Sequence, residues 1–317
     1  LKLFWLGGGL VVPGCVRLSL GMLRTLGCFI GQPKGMAPDA SMSGKHVVVT
    51  GASLNGIGFY TARSLLRRGA KVTIAARSRQ KGQQAMEALA EDAKVGESEV
   101  TLGICDVSSL ESVRSFAAEM QKSPFGNVDV LVDNAGAHLD KAATTPEGVE
   151  LTFATCALGH HLLNHLLTPR RIVWVTGDIY AMAKPPARTR FPGAGTKAYC
   201  NACLGRLLLA RELHRQAVSS GSGLEVVAVH PGVIASEFAK VGRCLKAIFS
   251  LMVLTPEQGA QASIYAATCP SSDVPQDTIY YHNKHRWLKL KAGDLAADDE
   301  AARALFAECD KLCGIKR

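Results

Sequence analysis

The sequence predicts a single doubly wound α/β domain on a mainly parallel sheet of about seven strands, and three observations predict it. From residue 44 onward, short β-branched runs alternate with amphipathic segments, the pattern of repeated βαβ units. The first run passes directly into a glycine cluster and then a helix. The 317 residues, 47% hydrophobic and 20% charged, suffice for one large buried core without a second domain.

In chain order the strands fall at Val47–Thr50, Lys71–Ala75, Glu99–Cys105, Val128–Val132, Arg171–Val175 and Leu224–Val229, with a weaker seventh at Thr278–Tyr281. Helical periodicity fills the intervals at about 57–69, 79–93, 109–121, 147–167, 196–219 and 256–268, and a terminal helix follows at about 297–313. Right-handed crossovers then put a ligand crevice at the C-terminal strand ends.

Residues 1–43 stand apart from this domain, which spans 44–317. The first 32 are apolar and hold Lys2, Arg17 and Arg24, with no acid before Asp39, as in an import presequence or a membrane-associating leader. Arg17 and Arg24 interrupt the apolar run, leaving it too short for a spanning helix. The net charge of +9 is dispersed rather than striped with aromatics, which excludes a nucleic-acid partner and favours an anionic cofactor or an acidic membrane surface. Ten cysteines without dense spacing read as free thiols in a reducing compartment, Cys309 and Cys313 among them as small apolar groups on one helix face.

The glycine cluster reads Thr50-Gly51-Ala52-Ser53-Leu54-Asn55-Gly56-Ile57-Gly58. Gly51 makes the tight turn, Gly56 admits a pyrophosphate to the backbone, and Gly58 lets helix and strand pack closely. Ser53, Asn55 and Ile57 complete a loop whose amides and following helix N-terminus attract phosphate. The second strand ends at Arg77 and Arg79, where an NAD site needs an acid for the ribose hydroxyl, so the cofactor expected is NADP(H).

Four further motifs complete a resemblance. They are Cys105-Asp106-Val107 after the third strand, Asn134-Ala135-Gly136 after the fourth, His230-Pro231-Gly232 after the sixth, and Thr255-Pro256-Glu257-Gln258-Gly259-Ala260. Together they make the chain resemble the short-chain dehydrogenase/reductase family over about residues 44–315, in its retinol-dehydrogenase-like branch. Its glycine motif departs by one residue, with four positions rather than three between the first two glycines. The resemblance implies hydride exchange between a nicotinamide and a carbonyl or alcohol, with an apolar small-molecule substrate. It gives Asp106 and Val107 to the adenine, and Asn134, Ala135, Gly136, Pro231 and Gly232 to the cofactor side of the cleft.

The same resemblance makes Tyr199 the proton-exchanging residue, but three partners differ. Cys203 stands at the lysine position, Gly177 at the serine position and Cys156 at the asparagine position. Lys197 lies across the helix from Tyr199 and does not replace the lysine. Thr176 beside Gly177 is the nearest hydroxyl, although strand neighbours point to opposite faces. Cys200 and Cys203 form a CxxC with no cationic neighbour in view, which argues for small replacements over a redox or metal centre.

Without a cation Tyr199 titrates near 10, so the neutral proton donor of carbonyl reduction survives better than the phenolate needed for oxidation. Two readings follow: an NADP(H)-dependent oxidoreductase of reduced or altered activity, and a silent relative serving as nucleotide sensor or scaffold. The helix bearing Cys156 ends at Thr168-Pro169-Arg170, about two turns short for the family, which leaves its helix-pair dimer in question.

Overall fold

The computed structural model describes residues 40–234 and 254–316, together with three short antiparallel strands at Phe4–Leu6, Gly9–Val12 and Val16–Arg17. The leader expected over residues 1–43 falls mostly outside the described residues.

The main sheet has eight strands: β1 His46–Thr50, β2 Lys71–Ala76, β3 Val100–Ile104, β4 Val130–Asp133, β5 Arg171–Val175, β6 Glu225–His230, β7 Tyr280–His282 and β8 Arg286–Leu288. Their order is β3-β2-β1-β4-β5-β6-β7-β8, parallel throughout except for the final β7–β8 hairpin. The eighth strand is absent from the sequence reading because Arg286-Trp287-Leu288 is too short to show alternation. The strand order reverses between β1 and β4, which opens a crevice above their C-terminal ends.

Period-2 alternation divides the interior into two cores. Val47, Val49, Val72, Ile74, Val130, Val132, Val173 and Val227 face one side, against helices α1 (Ile57–Arg67), α2 (Arg79–Ala93) and α6 (Pro256–Thr268). Val48, Ala75, Leu131, Ile172, Trp174, Val226 and Ala228 face the other, against α3 (Leu110–Met120), α4 (Leu151–Leu167), α5 (Gly195–Ser220) and α7 (Asp299–Cys313). Because both faces are covered, the strands read as near-continuous apolar runs.

Helix α4 runs from Leu151 to Leu167 and contains a π segment over Ala154–Leu158. It begins four residues later than the periodicity suggests. Gly148 turns at φ +76°, and the Glu150 carboxylate caps the helix through the Thr152 and Phe153 amides at 2.9 and 2.8 Å. Helix α5 is buried almost all round between Ala198 and Ala210, packed between sheet, α4 and α7. Helix α7 covers α4 and α5 through Phe306 on His161, 4.6 Å between ring centres, and an Asp310–His161 contact of 2.8 Å. The chain's own C-terminal helix thus lies on the helix pair through which a dimer was in question. Among the described residues no helix is long and apolar enough to cross a membrane.

Candidate active site

The loop after β1 is shaped for close backbone approach. Gly51 sits at φ +67°, and a Cβ there would meet Ala135 Cα at 2.7 Å; a Cβ at Gly58 would meet Asn134 Nδ2 at 2.5 Å. The additional loop residue is absorbed in a turn closed by the Gly56 amide on the Ser53 carbonyl at 2.9 Å, with Asn55 left-handed at φ +60°. Asparagine tolerates that position as few residues do. Helix α1 then starts at Ile57 with no side-chain cap, so its first-turn amides face the loop as anion donors.

Asn134 and its neighbours hold this loop in place. The Asn134 amide group donates to the Thr50 and Gly51 carbonyls at 2.8 and 3.0 Å, and the Asn134 and Ala135 backbone amides donate to the Thr50 hydroxyl at 3.0 Å. Buried His160 faces the Cys156 carbonyl through Nδ1 at 3.0 Å and the Thr50 hydroxyl through Nε2 at 2.9 Å. The carbonyl must accept, so Nδ1 carries the proton and Thr50 donates to Nε2.

Burial, then the nearby Arg206 charge, push the His160 ring down to about 3 from the ordinary 6.5. The unfolded chain therefore binds this proton below about pH 6.5 while the fold refuses it until about pH 3. The contribution is complete above pH 6.5 and is lost as pH falls, by about 2 kcal/mol at pH 5. Denaturant titrations at pH 7.5 and 5.0 are expected to show a drop in wild type that is smaller by about that amount in His160→Gln; equal drops contradict the assignment.

At the end of β2, Arg77 and Arg79 are exposed and, among the described residues, form no ion pair. Between them Ser78 caps α2 through the Lys81 amide at 3.4 Å. After β3, Asp106 accepts from the Ser108 amide and hydroxyl at 3.0 and 2.7 Å, which orients its carboxylate, and Val107 lies buried beside it. Gly232 turns at φ +90° after buried Pro231. Gly259 of α6 packs toward the Pro231 carbonyl, behind a capping box of Thr255 and Gln258.

Tyr199, half-buried on α5, meets the ring of His138 edge-on at 5.8 Å between centres. Neighbouring Cys203, then burial, push the Tyr199 hydroxyl well above its ordinary 10, so it stays protonated at working pH. The Cys156 thiol contacts the Ala137 backbone, its sulfur 3.5 Å from the amide and 3.7 Å from the carbonyl. Gly177 has room: a Cβ there meets nothing closer than Ile179 Cγ2 at 3.8 Å and His230 Nδ1 at 4.0 Å.

The Thr176 hydroxyl donates to the Cys203 carbonyl at 3.1 Å and is buried, turned by the pleat toward α5. One expectation is corrected. The CxxC does have a cationic neighbour, Arg206, three residues beyond Cys203 and buried at 3% exposure. Its guanidinium donates to the carbonyls of Ala135, Cys156 and Val175. The Cys156 carbonyl lies within the π segment of α4. Burial nonetheless pushes Cys200 up to about 11 and Cys203 up to about 12, so both thiols remain unreactive.

A buried cluster of Asp178, His230 and His282 at the ends of β5, β6 and β7 also escaped the sequence reading; its potential ligand atoms lie within 4.8 Å of one another. Its hydrogen bonds disfavour a metal. His230 Nδ1 accepts the Asp178 amide at 3.3 Å, and His282 Nδ1 accepts the Lys284 amide at 3.2 Å. Both rings therefore carry their proton on Nε2, the atom a cation would need. His282 donates that proton to Asp178 at 3.2 Å, and Tyr280 donates to the same carboxylate at 2.5 Å.

A nucleotide loop, a protonated tyrosine and the strand order coincide with a family model described as short chain dehydrogenase, which matches residues 45–243. The chain belongs to the short-chain dehydrogenase family. It is 32% identical to bovine dehydrogenase/reductase SDR family member 13, covering 98% of this chain and 82% of that protein. It is 35% identical to human retinol dehydrogenase 13 over 87% of each.

Among solved structures, an uncharacterised protein of Mycobacterium paratuberculosis superposes with a TM-score of 0.69 at 30% identity, covering 87% of this chain and 95% of the other. L-Sorbose reductase of Gluconobacter frateurii, solved with NADPH and L-sorbose, superposes at 0.61 with 19% identity over 78% and 98%, and shows the shared fold. This short-chain dehydrogenase is thus an oxidoreductase of the class acting on alcohol and carbonyl groups. Its cofactor is a nicotinamide dinucleotide and its substrate a small molecule.

Proposed function

We propose that the chain is an NADP(H)-dependent reductase of small, apolar carbonyl compounds, with Tyr199 as proton donor. The observation that carries this reading is the protonated Tyr199 at the family's proton-exchange position, in a domain whose second strand ends in arginine. The residues present fit the dinucleotide: Gly51 and Gly56 leave backbone where a Cβ would intrude, and the α1 amides offer an anion seat. Gly51, Ser53, Asn55, Gly56, Ile57 and Gly58 hold the pyrophosphate, Arg77 the 2′-phosphate, and Asp106 with Val107 the adenine. Asn134, Ala135 and Gly136 form the floor beneath, and Pro231 and Gly232 the wall. When bound, the cofactor supplies hydride at the nicotinamide C4.

The chain's own residues then manage the proton. Tyr199 donates its hydroxyl proton to the substrate oxygen as negative charge develops there, and the neutral form favoured by Cys203 and burial is the one that can donate. In the oxidation direction the same shift works against the phenolate, so reduction is the favoured direction. Because Gly177, Cys156 and Cys203 supply neither a hydroxyl to orient the substrate oxygen nor an ammonium beside the tyrosine, the rate is below that of a site with all four groups. An apolar substrate accords with the retinol dehydrogenases among the relatives. The apolar, acid-poor segment 1–43 we take as a leader or a membrane-associating arm.

Cofactor choice is tested by fluorescence titration. NADPH is expected to bind more tightly than NADH, and Arg77→Glu to weaken NADPH by about 10- to 100-fold with little effect on NADH, the range of a charge-assisted phosphate contact. Equal affinities in wild type, or an Arg77→Glu variant with unchanged NADPH affinity, contradict the assignment.

A further inference from the structure

We propose that Arg206 supplies, from the next turn of α5, the positive charge that the family supplies by lysine at the position held here by Cys203. Tyr199, Cys203 and Arg206 stand at i, i+4 and i+7, one face of the helix. The guanidinium ties together the three elements that meet at the site: the loop after β4 through Ala135, the π segment of α4 through Cys156, and the end of β5 through Val175. A Cβ on Gly136 would lie 3.6 Å from the Cys156 sulfur and 3.8 Å from an Arg206 terminal nitrogen, so the charge reaches the cofactor floor.

This charge has no carboxylate partner among the described residues. Asp133, the buried acid nearby, is pushed up by burial while Asn164 and Arg206 draw it down, and it makes no ion pair with the guanidinium. A buried guanidinium on carbonyls alone leaves a net positive field. Five groups around it feel that field: Tyr199 and Cys203 on α5, Cys156 and His160 on α4 and Asp133 on β4 are all drawn toward lower values by Arg206, while the Glu150 carboxylate at the start of α4 acts on Cys156 in the opposite sense. His138, from the loop after β4, faces Tyr199 as well, with Asp140 at 3.8 Å.

The inference explains why position 203 is small and neutral. A lysine there would place a second cation one turn from Arg206 in the same buried space, where like charges disfavour each other. Arg206 is accordingly a positioning residue. It acts through Tyr199, stabilising negative charge as the proton leaves.

The inference rests on the reading of Tyr199 as proton donor, but its test needs neither cofactor nor turnover. The full chain is prepared as Cys203→Lys, Arg206→Gln and the double variant, Gln being chosen because it retains donors for the carbonyls. Lysine labelled at 13Cε is titrated by NMR, the introduced residue being assigned by difference from wild type. Its proton affinity is expected to be at least tenfold lower with Arg206 present than in the Arg206→Gln background. In turnover, the effect of Cys203→Lys is expected to be at least tenfold more favourable in the Arg206→Gln background than in wild type.

Equal titration in both backgrounds overturns the proposal, as does a Cys203→Lys gain as large with Arg206 as without it; Arg206 is then a structural tie only. If Arg206→Gln does not fold, the same comparison is made with Arg206→Met, which keeps the length of the side chain without its charge. Burial alone lowers an introduced lysine at position 203, so only the difference between the two backgrounds decides: a lower proton affinity with Arg206 supports the proposal and equal affinities overturn it. Absence of carbonyl reduction in wild type, with the titration as expected, counts against the reductase reading and leaves the charge assignment standing.

Discussion

Tyr199→Phe is expected to lower NADPH-dependent carbonyl reduction by about 10²- to 10⁴-fold while leaving NADPH affinity unchanged, because the phenyl ring fills the same space and only the positioned proton is lost. Steady-state rates with aromatic and aliphatic aldehydes, alongside fluorescence titration of NADPH, separate the two effects. Equal rates in wild type and variant would remove Tyr199 from the proposed mechanism. The pH dependence follows from the same geometry. Neighbouring Cys203 and burial hold the hydroxyl protonated well beyond pH 10, so wild-type reduction loses no proton donor between about pH 6 and 9. Alcohol oxidation stays slow across that range.

The second large effect concerns packing. A Cβ at Gly159 would lie 1.7 Å from the Val107 carbonyl oxygen and 2.7 Å from its carbon, a collision with backbone that no rotamer relieves. Gly159→Ala must therefore lift α4 from the loop after β3, at a cost of about 3 kcal/mol or more and a fall of about 6–12 °C in melting temperature. Since that loop carries Asp106 and Val107, NADPH affinity falls with it. Gly177→Ala is the control: its Cβ enters open space, with the nearest atom at 3.8 Å, and stability changes by less than about 0.5 kcal/mol. Thermal unfolding of the two variants side by side checks both, and a stable Gly159→Ala would contradict the close docking of α4.

Much of this was legible in the sequence because its signals are local. Val47–Val49 alternates between two cores, Gly51 must turn left-handed, and Thr255 with Gln258 forms a capping box; each can be read within a few residues. The start of α4 was misplaced because Glu150 is an unusual cap and the Gly148 turn precedes it. The hidden part of the site is non-local. Arg206 is the one charged residue between Ala198 and Ala210 of α5, a signal visible in principle, but its three carbonyls come from Ala135, Cys156 and Val175, far apart in the chain.

Thr176 could be weighed only by the pleat, and its hydrogen bond to the Cys203 carbonyl comes from a helix 27 residues further along the chain. His282 lies beside Asp178 only because β7 adds next to β6, a pairing that no spacing in the sequence announces. Restoring a lysine at position 203 looks like a simple repair from sequence alone. The buried guanidinium makes it a competition between two cations.

The most direct test of the central claim is isotopic. NADPH deuterated at the transferring C4 position is incubated with the full chain and an apolar aldehyde, and the alcohol is analysed by mass spectrometry. The account predicts one deuterium on the carbinol carbon in wild type, formed far more slowly by Tyr199→Phe. NADPH binding at the expected affinity, with no deuterated alcohol from any aldehyde tried, would contradict it and favour a nucleotide sensor that has lost its chemistry.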